Sequence, residues 1–390
     1  MRRAPLLATA GAACLLLAAC SSAGGAAPQS WVPSQVGGQI EGPGGQLTPI
    51  LPYPSPDPSR TPGAPPPAPS TPPSSSNGSG KIDPAVVATH LVAPVGLTLL
   101  PDGSALVGER TTGRIVQVQP QPGLPVPTVR TLTGLDTSGD GGLLDLALSP
   151  TYSQDNLIYA YITTPTDNRV VDFTLHGPVT PVLTGIPKGR TGNTGRIAFG
   201  PHGDLYVGTG DAGNPSLAAN PRSLAGKVLR VDDIGDPATG RSPVWTSGHQ
   251  VVDGLCPVPR STTVYEVEPP DEVNSLDGGG VYGPGHPATA TLPAADRSPG
   301  GCAVLGGRLW VTSLDGQSLL SAPISGAGAI GSFTAALVRK YGRLRTVVAA
   351  PDGALWLTTS NRDGHGRPVP ADERVIRFVP SGGGAGGSPV

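Results

Sequence analysis

The chain has 390 residues, enough for one large domain or two domains of ordinary size. Its 26 basic and 28 acidic side chains nearly cancel, so the composition excludes a general binder of nucleic acid or another polyanion. No apolar stretch of about 18 residues follows the N-terminal region, so the sequence predicts no membrane-spanning helix there.

Residues 1–19 have the features of an export signal. Arg2 and Arg3 precede an apolar run over residues 4–17, and small residues stand directly before Cys20. This order resembles a bacterial lipobox, which implies cleavage before Cys20 and a lipid on its thiol; two or more acyl chains anchor a protein stably. We therefore expect an exported protein that contacts the membrane through Cys20, on the outer face of the cell membrane or in the cell envelope. The alternative is an ordinary secretory signal with an incidental cysteine.

Residues 20–80 have the composition of a linker. Between Ser21 and Gly80 there are 15 prolines, and serine and glycine are also abundant. Such a segment has too few apolar residues to form a core. Proline-rich chain prefers an extended conformation of about 3.1 Å per residue, so roughly 60 residues span up to about 180 Å. We expect a lipid-anchored tether here.

From residue 81 to residue 380 one strand pattern recurs. Its best copy is Gly192–Gly213, in which the apolar runs 197–199 and 205–207 flank a Gly-Pro-His-Gly turn, as in two antiparallel strands joined by a tight turn. Six copies begin roughly 50 residues apart, the size of a four-stranded blade. The sequence therefore predicts an all-β, six-bladed β-propeller, followed by a disordered glycine-rich tail over residues 381–390.

The same stretch contains a Gly-x-Gly-x-x-Gly motif formed by Gly208, Gly210 and Gly213. A dinucleotide site needs a helix that begins at the last glycine and meets the pyrophosphate with its N–H groups. Pro215 and Pro221 argue against such a helix. We interpret the motif as a loop at the rim of a β-sheet.

Cys256 and Cys302 are the cysteines that remain after signal removal and lipidation. In an exported protein an even pair usually forms a bridge. Both lie at the start of the first strand of neighbouring copies, where the Cα atoms of adjacent blades can approach the roughly 5.5 Å that a disulfide requires. We predict this disulfide; two free buried thiols are the alternative.

The repeats resemble the glucose/sorbosone dehydrogenases, soluble quinoproteins that use pyrroloquinoline quinone on a six-bladed propeller. The matching stretches are Gly96–Glu109, Gly141–Tyr161, Gly195–Gly213, Asp271–Asn274 and Leu344–Thr359. The resemblance implies binding of pyrroloquinoline quinone and calcium and oxidation of a sugar.

Three departures from the family pattern concern its chemistry. Gly192 stands where the family has the His that removes a proton from the sugar hydroxyl, and a glycine offers no side chain for that role. Gln250 and Val251 replace an Arg-Asn pair that holds the cofactor, and Glu268 replaces a glycine of the calcium loop. The resemblance thus implies a site that lacks its usual base.

Several other family positions are retained. The candidate ligand- or cofactor-binding residues are Asp140, Arg196, Asp211, Gln250 and Arg345. Of these, Asp140 stands at the site of a family Gln or Glu, and Gln250 is a substitution. Arg and Asp on propeller loops also hold neighbouring blades together, and this structural role is the alternative for each. As weak candidates for a metal site we name Glu268, Asp271 and Asn274, and His249 as a weak candidate for a catalytic base.

Three functions are compatible with these residues. The first is a lipid-anchored binding module that has lost catalysis and recognises a small molecule, a glycan or an envelope protein. The second is an active sugar dehydrogenase dependent on pyrroloquinoline quinone and calcium, with a rearranged base such as His249. The third is a calcium-dependent propeller hydrolase, whose metal ligands would be Glu268, Asp271, Asn274 and Asp211.

The lipobox makes a direct prediction for Cys20. Cells that express the full chain should incorporate radiolabelled palmitate into it, whereas a Cys20→Ala variant should remain unlabelled and partition into the aqueous phase on detergent phase separation. Equal labelling of both proteins would show that Cys20 is not the lipidated residue.

Overall fold

The structure is a computed structural model that describes residues 83–381. Cys20, the signal at residues 1–19, the linker at 20–80 and nearly all of the tail at 381–390 lie outside the described residues. The described part forms six four-stranded antiparallel sheets, and these are the blades of a β-propeller, as predicted. None of its helices has the length and apolar character needed to cross a membrane.

The strands and helices follow one another in chain order. The first eight strands are β1 (Val86–Ala88), β2 (Pro94–Leu99), β3 (Ala105–Glu109), β4 (Arg114–Val118), β5 (Thr128–Thr131), β6 (Leu143–Leu148), β7 (Ile158–Thr163) and β8 (Asn168–Phe173). The next eight are β9 (Val179–Ile186), β10 (Gly195–Phe199), β11 (Leu205–Thr209), β12 (Lys227–Val231), β13 (Val244–Ser247), β14 (Gly254–Pro257), β15 (Val264–Glu268) and β16 (Glu272–Ser275). The last eight are β17 (Ala290–Thr291), β18 (Pro299–Leu305), β19 (Arg308–Ser313), β20 (Ser318–Pro323), β21 (Thr334–Ala336), β22 (Leu344–Ala349), β23 (Leu355–Thr359) and β24 (Val375–Phe378). Two short helices are α1 (Tyr152–Asp155) and α2 (Pro215–Ala219).

Five blades are built from consecutive strands, and the sixth joins the two ends of the domain. Blades one to five are β2–β5, β6–β9, β10–β13, β14–β17 and β18–β21. Blade six contains β22–β24 and, as its outer strand, β1. Val86 pairs with Ile376 and Ala88 with Val375 in antiparallel register. This closure of the ring by the first strand was not apparent from the sequence repeat.

The Pro-Asp-Gly turns predicted from the sequence have a shared local cause. In the first of them the Asp102 carboxylate accepts a hydrogen bond from the Ser104 N–H (2.9 Å), and Gly103 adopts a left-handed conformation at φ 84°. The turn at Asp352 repeats this arrangement with the Ala354 N–H (3.0 Å). Asp caps such a turn with its own side chain, and glycine tolerates the positive φ without a Cβ clash.

The apolar core is divided among the interfaces between blades. Six clusters of buried side chains each combine residues of two neighbouring blades. Between blades six and one, for example, Trp356 packs with Leu97 and Val107. The innermost strand of every blade also contacts those of both neighbours, which closes the ring. A Cβ on Gly96 in β2 would lie 2.9 Å from the backbone of Asp145 in β6, so this approach depends on glycine.

One expectation from the sequence needs correction at the Gly-x-Gly-x-x-Gly loop. Pro215 does not prevent a helix after Gly213 but begins α2, a single turn whose Asn214 side chain accepts from the Ser216 N–H (3.2 Å). Proline fits the first helical position because that N–H has no partner within the helix. The loop still joins strands of an antiparallel blade, so the crossover unit of a dinucleotide fold is absent there.

Cys256 in β14 and Cys302 in β18 form a disulfide, as predicted, with their Cα atoms 5.8 Å apart. The bond links blades four and five at their innermost strands. Both cysteines also belong to the apolar cluster between these blades.

Loss of the disulfide should destabilise the propeller by about 2–4 kcal/mol, since 46 residues separate the two cysteines and their cross-link restricts the unfolded chain. The comparison is urea unfolding of the wild type and of a Cys256→Ala/Cys302→Ala variant, each with and without reductant. Reductant should lower the wild-type midpoint and leave that of the variant unchanged. An identical wild-type midpoint under both conditions would contradict the bridge.

Candidate functional site

A cavity of about 470 Å³ lies where the innermost strands of five blades begin. Blades one, two, three, four and six contribute to it through the ends of strands and the adjoining loops. Its lining residues are Ala93, Val95, Arg110, Gly139, Asp140, Leu144, Thr194, Gly195, Arg196, Val251, Asp253, Arg343, Arg345, Ser360, Arg362, Asp363, His365 and Glu373. We call it the central pocket.

Five arginines line the central pocket, and most of their guanidinium groups are engaged by the protein. Arg196 donates to the backbone oxygens of Asp253 (2.7 Å) and Gly300 (2.6 Å) and so joins blades three, four and five. Arg343 pairs with Asp363 at 2.8 Å. Arg196 and Arg343 therefore set the shape of the pocket as well as its charge.

Arg345 differs from these residues. It lies near the start of β22 and is partly exposed to the pocket, and its side chain forms no hydrogen bond or ion pair with any residue between 83 and 381. Burial lowers the pKa of its guanidinium, and the nearby carboxylate of Asp253 opposes that shift. An arginine of this kind keeps its donors available for a planar anion.

Asp253 faces Arg345 across the same pocket. Its backbone is held by the Arg196 side chain and by the Val267 carbonyl (2.9 Å), while its carboxylate accepts no hydrogen bond from the described residues. Burial raises the pKa of this carboxyl to about 6; Arg345 and Arg196 lower it, whereas Glu268 and Asp140 raise it. A carboxylate with a pKa near neutrality in a pocket is suited to accept a proton.

The loop that contains Gly192 leaves no room for a side chain at the position where the family resemblance implies a base. Gly192 has a φ of 70°, and a Cβ placed on it would lie 2.6 Å from Asp211 Oδ1 and 2.7 Å from the Gly213 nitrogen. The next residue, Asn193, is fully buried and donates through Nδ2 to Asp140 Oδ1 (2.5 Å). A side chain at residue 192 is thus incompatible with this loop, and Asp140 is held at the pocket wall by an amide.

A buried ion pair lies beneath the pocket. Asp145 and Arg196 approach to 3.9 Å, and the Asp145 carboxylate also accepts from the N–H groups of Ile197 (3.0 Å) and Leu146 (2.9 Å). Burial raises the pKa of Asp145 to about 6, against the effects of Arg196 and the two N–H groups. The pair connects blades two and three and fixes the direction from which Arg196 enters the pocket.

The structure brings together only part of the set of residues named from the sequence. Asp140, Arg196 and Arg345 line the central pocket. Asp211 is buried outside its lining, where Oδ1 accepts from the Gly213 N–H (2.8 Å). Gln250 is exposed and also lies outside the lining, with its N–H bound to Glu268 Oε1 (3.1 Å).

His249 lies in a second, fully buried group of side chains. Its Nδ1 atom is 3.2 Å from Glu268 Oε2 and 3.6 Å from Glu266 Oε1, and its Nε2 atom is 2.8 Å from the Thr246 hydroxyl. Burial alone lowers the pKa of the imidazole, but the two glutamates outweigh it and raise the pKa to about 9. Burial raises the pKa of Glu268 to about 7. We call His249, Glu266 and Glu268 the HEE cluster.

The weak metal candidates separate in the fold. Glu268 belongs to the HEE cluster, and Asn274 donates through Nδ2 to Glu266 Oε2 (3.2 Å). Asp271 instead pairs with Arg297 at 3.2 Å. Within residues 83–381 the HEE cluster is the one group of three or more such side chains close enough to share a metal ion, and Asp271 is not part of it.

Fold and pocket together define the chain as a six-bladed propeller with an arginine-lined central cavity. The sequence pattern of the Glucose / Sorbosone dehydrogenase family matches residues 91–291, just over half of the chain. The chain belongs to this family.

Individual relatives agree with this assignment. Among curated proteins, quinoprotein glucose dehydrogenase B of Acinetobacter calcoaceticus is 28% identical over 254 residues, which cover 53% of this chain and 52% of that protein. Aldose sugar dehydrogenase YliI of Escherichia coli is 26% identical over 227 residues, 51% of this chain and 60% of its own length. The chain thus spans only about half of the length of the curated relatives it matches.

Among solved structures, the pyrroloquinoline quinone-bound form of an aldose sugar dehydrogenase from Streptomyces coelicolor is 37% identical with a TM-score of 0.71, covering 75% of this chain and 96% of that one. A putative oxidoreductase (glucose dehydrogenase) of Thermus thermophilus is 36% identical with a TM-score of 0.69, covering 75% and 98%.

Sequence reasoning missed Arg110, Asp253, Arg343 and Arg362 as pocket residues. Each lies in a loop or at a strand end, where no periodic pattern identifies the direction of a side chain. The signal that could have found Arg343 is its position two residues before Arg345 at the start of β22, because alternate residues of a strand share a face. No comparable signal marks Asp253.

Proposed function

We propose that the chain binds pyrroloquinoline quinone in the central pocket and oxidises an aldose. The observation that carries this proposal is the unpartnered guanidinium of Arg345, which lies in a pocket lined by four further arginines. The sugar dehydrogenases among its relatives, one of them solved with this cofactor bound, support it.

The charged side chains of the pocket have a small excess of positive charge, which favours an anionic ligand such as a planar polycarboxylate. Five guanidinium groups face four carboxylates, and two of these charges, those of Arg343 and Asp363, already neutralise each other. Arg345 and Arg110 would hold the cofactor carboxylates; Arg110 is tied only to the backbone oxygens of Gly139 and Gly141. The exposed Gln250 takes no part in this arrangement, so recognition of the cofactor rests on blades one and six.

The chemistry that bound pyrroloquinoline quinone supplies is the acceptance of two electrons from the sugar. The chain's own task is to place the sugar and remove the hydroxyl proton. Asp253 is suited to that task because its carboxylate is free of hydrogen bonds from the described residues and has a pKa of about 6. Arg196 holds the Asp253 backbone and so positions the carboxylate.

Calcium, which the family resemblance also implies, does not fit the described ligands. Calcium takes oxygen ligands, whereas the HEE cluster includes an imidazole nitrogen and Asp271 is paired with Arg297. The reaction that we propose therefore contains no step that depends on calcium.

A second candidate function is a binding module without catalysis. The crowded backbone at Gly192, which leaves no room for the family base, favours it. The same pocket would then hold an anionic small molecule or the acidic group of a glycan or envelope protein. For either function we propose that a lipid on Cys20 places the protein outside the cytoplasm. This part of the proposal rests on the lipobox pattern alone.

Replacement of Arg345 by Met should weaken the binding of pyrroloquinoline quinone about 10- to 100-fold, because a charge-assisted pair is lost. Isothermal titration of the purified full-length protein with the cofactor measures the affinity. Arg222→Met, at an exposed loop, is the matched control and should bind like the wild type. Equal affinity of both variants, or no binding by the wild type, would refute the proposed cofactor site.

Asp253→Asn should lower kcat for aldose-dependent dye reduction by about 100-fold or more. In the wild type kcat/KM should fall about tenfold per pH unit below about pH 6, because the Asp253 carboxyl is protonated there and cannot accept a proton. In the Asn variant kcat/KM should no longer fall in this pH range.

The exposed Asp236→Asn variant is the control and should keep the wild-type profile. If the wild type binds the cofactor tightly but reduces no dye with any aldose, the result would support the second candidate function, a binding module without catalysis.

A further inference from the structure

We propose that the HEE cluster is a binding site for one divalent transition-metal ion of the zinc class, separate from the central pocket. The backbone explains why its side chains converge. Glu266 and Glu268 are two residues apart on β15 and so project from the same face of the strand. His249 lies in the loop that follows β13 and faces them.

The spacing of the converging atoms fits a small cation. His249 Nδ1 lies 3.2 Å from Glu268 Oε2 and 3.6 Å from Glu266 Oε1. Each of the three side chains offers one ligand atom within 4.8 Å of those of the other two. Ligand atoms around a tetrahedral zinc ion, with bonds of about 2.0–2.1 Å, are roughly 3.3 Å apart. Both distances from Nδ1 are therefore close to the separation that such an ion imposes.

Each of the three side chains uses its other polar atom on a protein partner. Glu268 Oε1 accepts from the Gln250 N–H, and Glu266 Oε2 accepts from the Asn274 side chain. His249 Nε2 contacts the Thr246 hydroxyl, and when Nε2 donates there, Nδ1 keeps a lone pair for a metal. Such outer partners orient metal ligands in proteins. The atoms that converge are His249 Nδ1, Glu268 Oε2 and Glu266 Oε1. Nδ1 and Glu268 Oε2 share a hydrogen bond of 3.2 Å, whose proton a metal would replace, and Glu266 Oε1 has no hydrogen-bond partner.

Two buried oxygen atoms without a hydrogen-bond partner are a second observation that favours a cation in this cluster. Glu266 Oε1 and Asn274 Oδ1 are both buried without a hydrogen-bond partner, and their residues are 0% and 1% exposed. An unpartnered buried polar atom costs about 1–3 kcal/mol, and more when it is charged. The two buried carboxylates raise the pKa of His249, so without a metal the imidazole holds a proton between them. A divalent ion would displace that proton and neutralise both carboxylates.

The ligand types select the metal. One imidazole nitrogen and two carboxylate oxygens suit zinc, cobalt, manganese or iron, whereas calcium and magnesium prefer oxygen alone. The ion would connect β15 to the loop that leads to Val251 and Asp253, both in the central pocket. Its role would therefore be to fix one wall of that pocket.

The test begins with the full-length protein, free of any histidine tag, treated with a chelator and then dialysed. After incubation with ZnCl₂ and gel filtration, elemental analysis should find one zinc per chain. The midpoint of thermal unfolding should rise by about 5 °C or more. Cobalt loading should give the visible absorption of a four-coordinate site, and CaCl₂ alone should leave the midpoint unchanged.

Glu266→Gln and His249→Gln should each lose the bound zinc and the thermal shift. His286→Gln is the matched control, because His286 is exposed and contacts the Tyr282 ring that also stacks on His249. Less than about a tenth of one zinc per wild-type chain, with no thermal shift, would overturn the site whether or not the variants fold. A shift with calcium but not with zinc would overturn the choice of metal.

Discussion

The structure depends on the packing of each blade against its neighbours. Every apolar cluster is shared between two blades, so a single four-stranded sheet has no core of its own. The interface between the last and the first blade is complete only when the ring closes, and the pairing of β1 with β24 completes the last blade. The central pocket follows from the same constraint, because its wall consists of strand ends that five separate blades bring together.

The central pocket combines positions that the family resemblance retains with others that differ from it. Arg196 and Arg345 occupy retained positions, whereas the loop at Gly192 is closed by backbone contacts and by the bond between Asn193 and Asp140. In the dehydrogenase function that we propose, proton acceptance falls to a carboxylate on another blade, that of Asp253. The two functions that we propose differ in whether the Asp253 carboxylate accepts a proton from a bound sugar.

The sequence was informative where structure is local and periodic. Alternating apolar strands and Asp-Gly turns are set by neighbouring residues, so the six blades could be predicted from it. The disulfide followed because equivalent strands of adjacent blades lie side by side. The three residues of β1 carry too little pattern, and their partner lies about 290 residues away. Asp253 and the HEE cluster depend on loop directions that only the folded chain defines, although two glutamates at alternate positions of one strand were a partial signal.

The position of β1 has a consequence for how the molecule is made. β1 is synthesised long before β24, the strand with which it pairs. The first strand therefore stays unpaired until nearly the whole domain has been synthesised. Contacts between distant parts of a chain slow folding, because the chain must search for them. The domain therefore spends its synthesis as an open series of blades, and a chain cut short before β24 exposes one apolar blade face at each end.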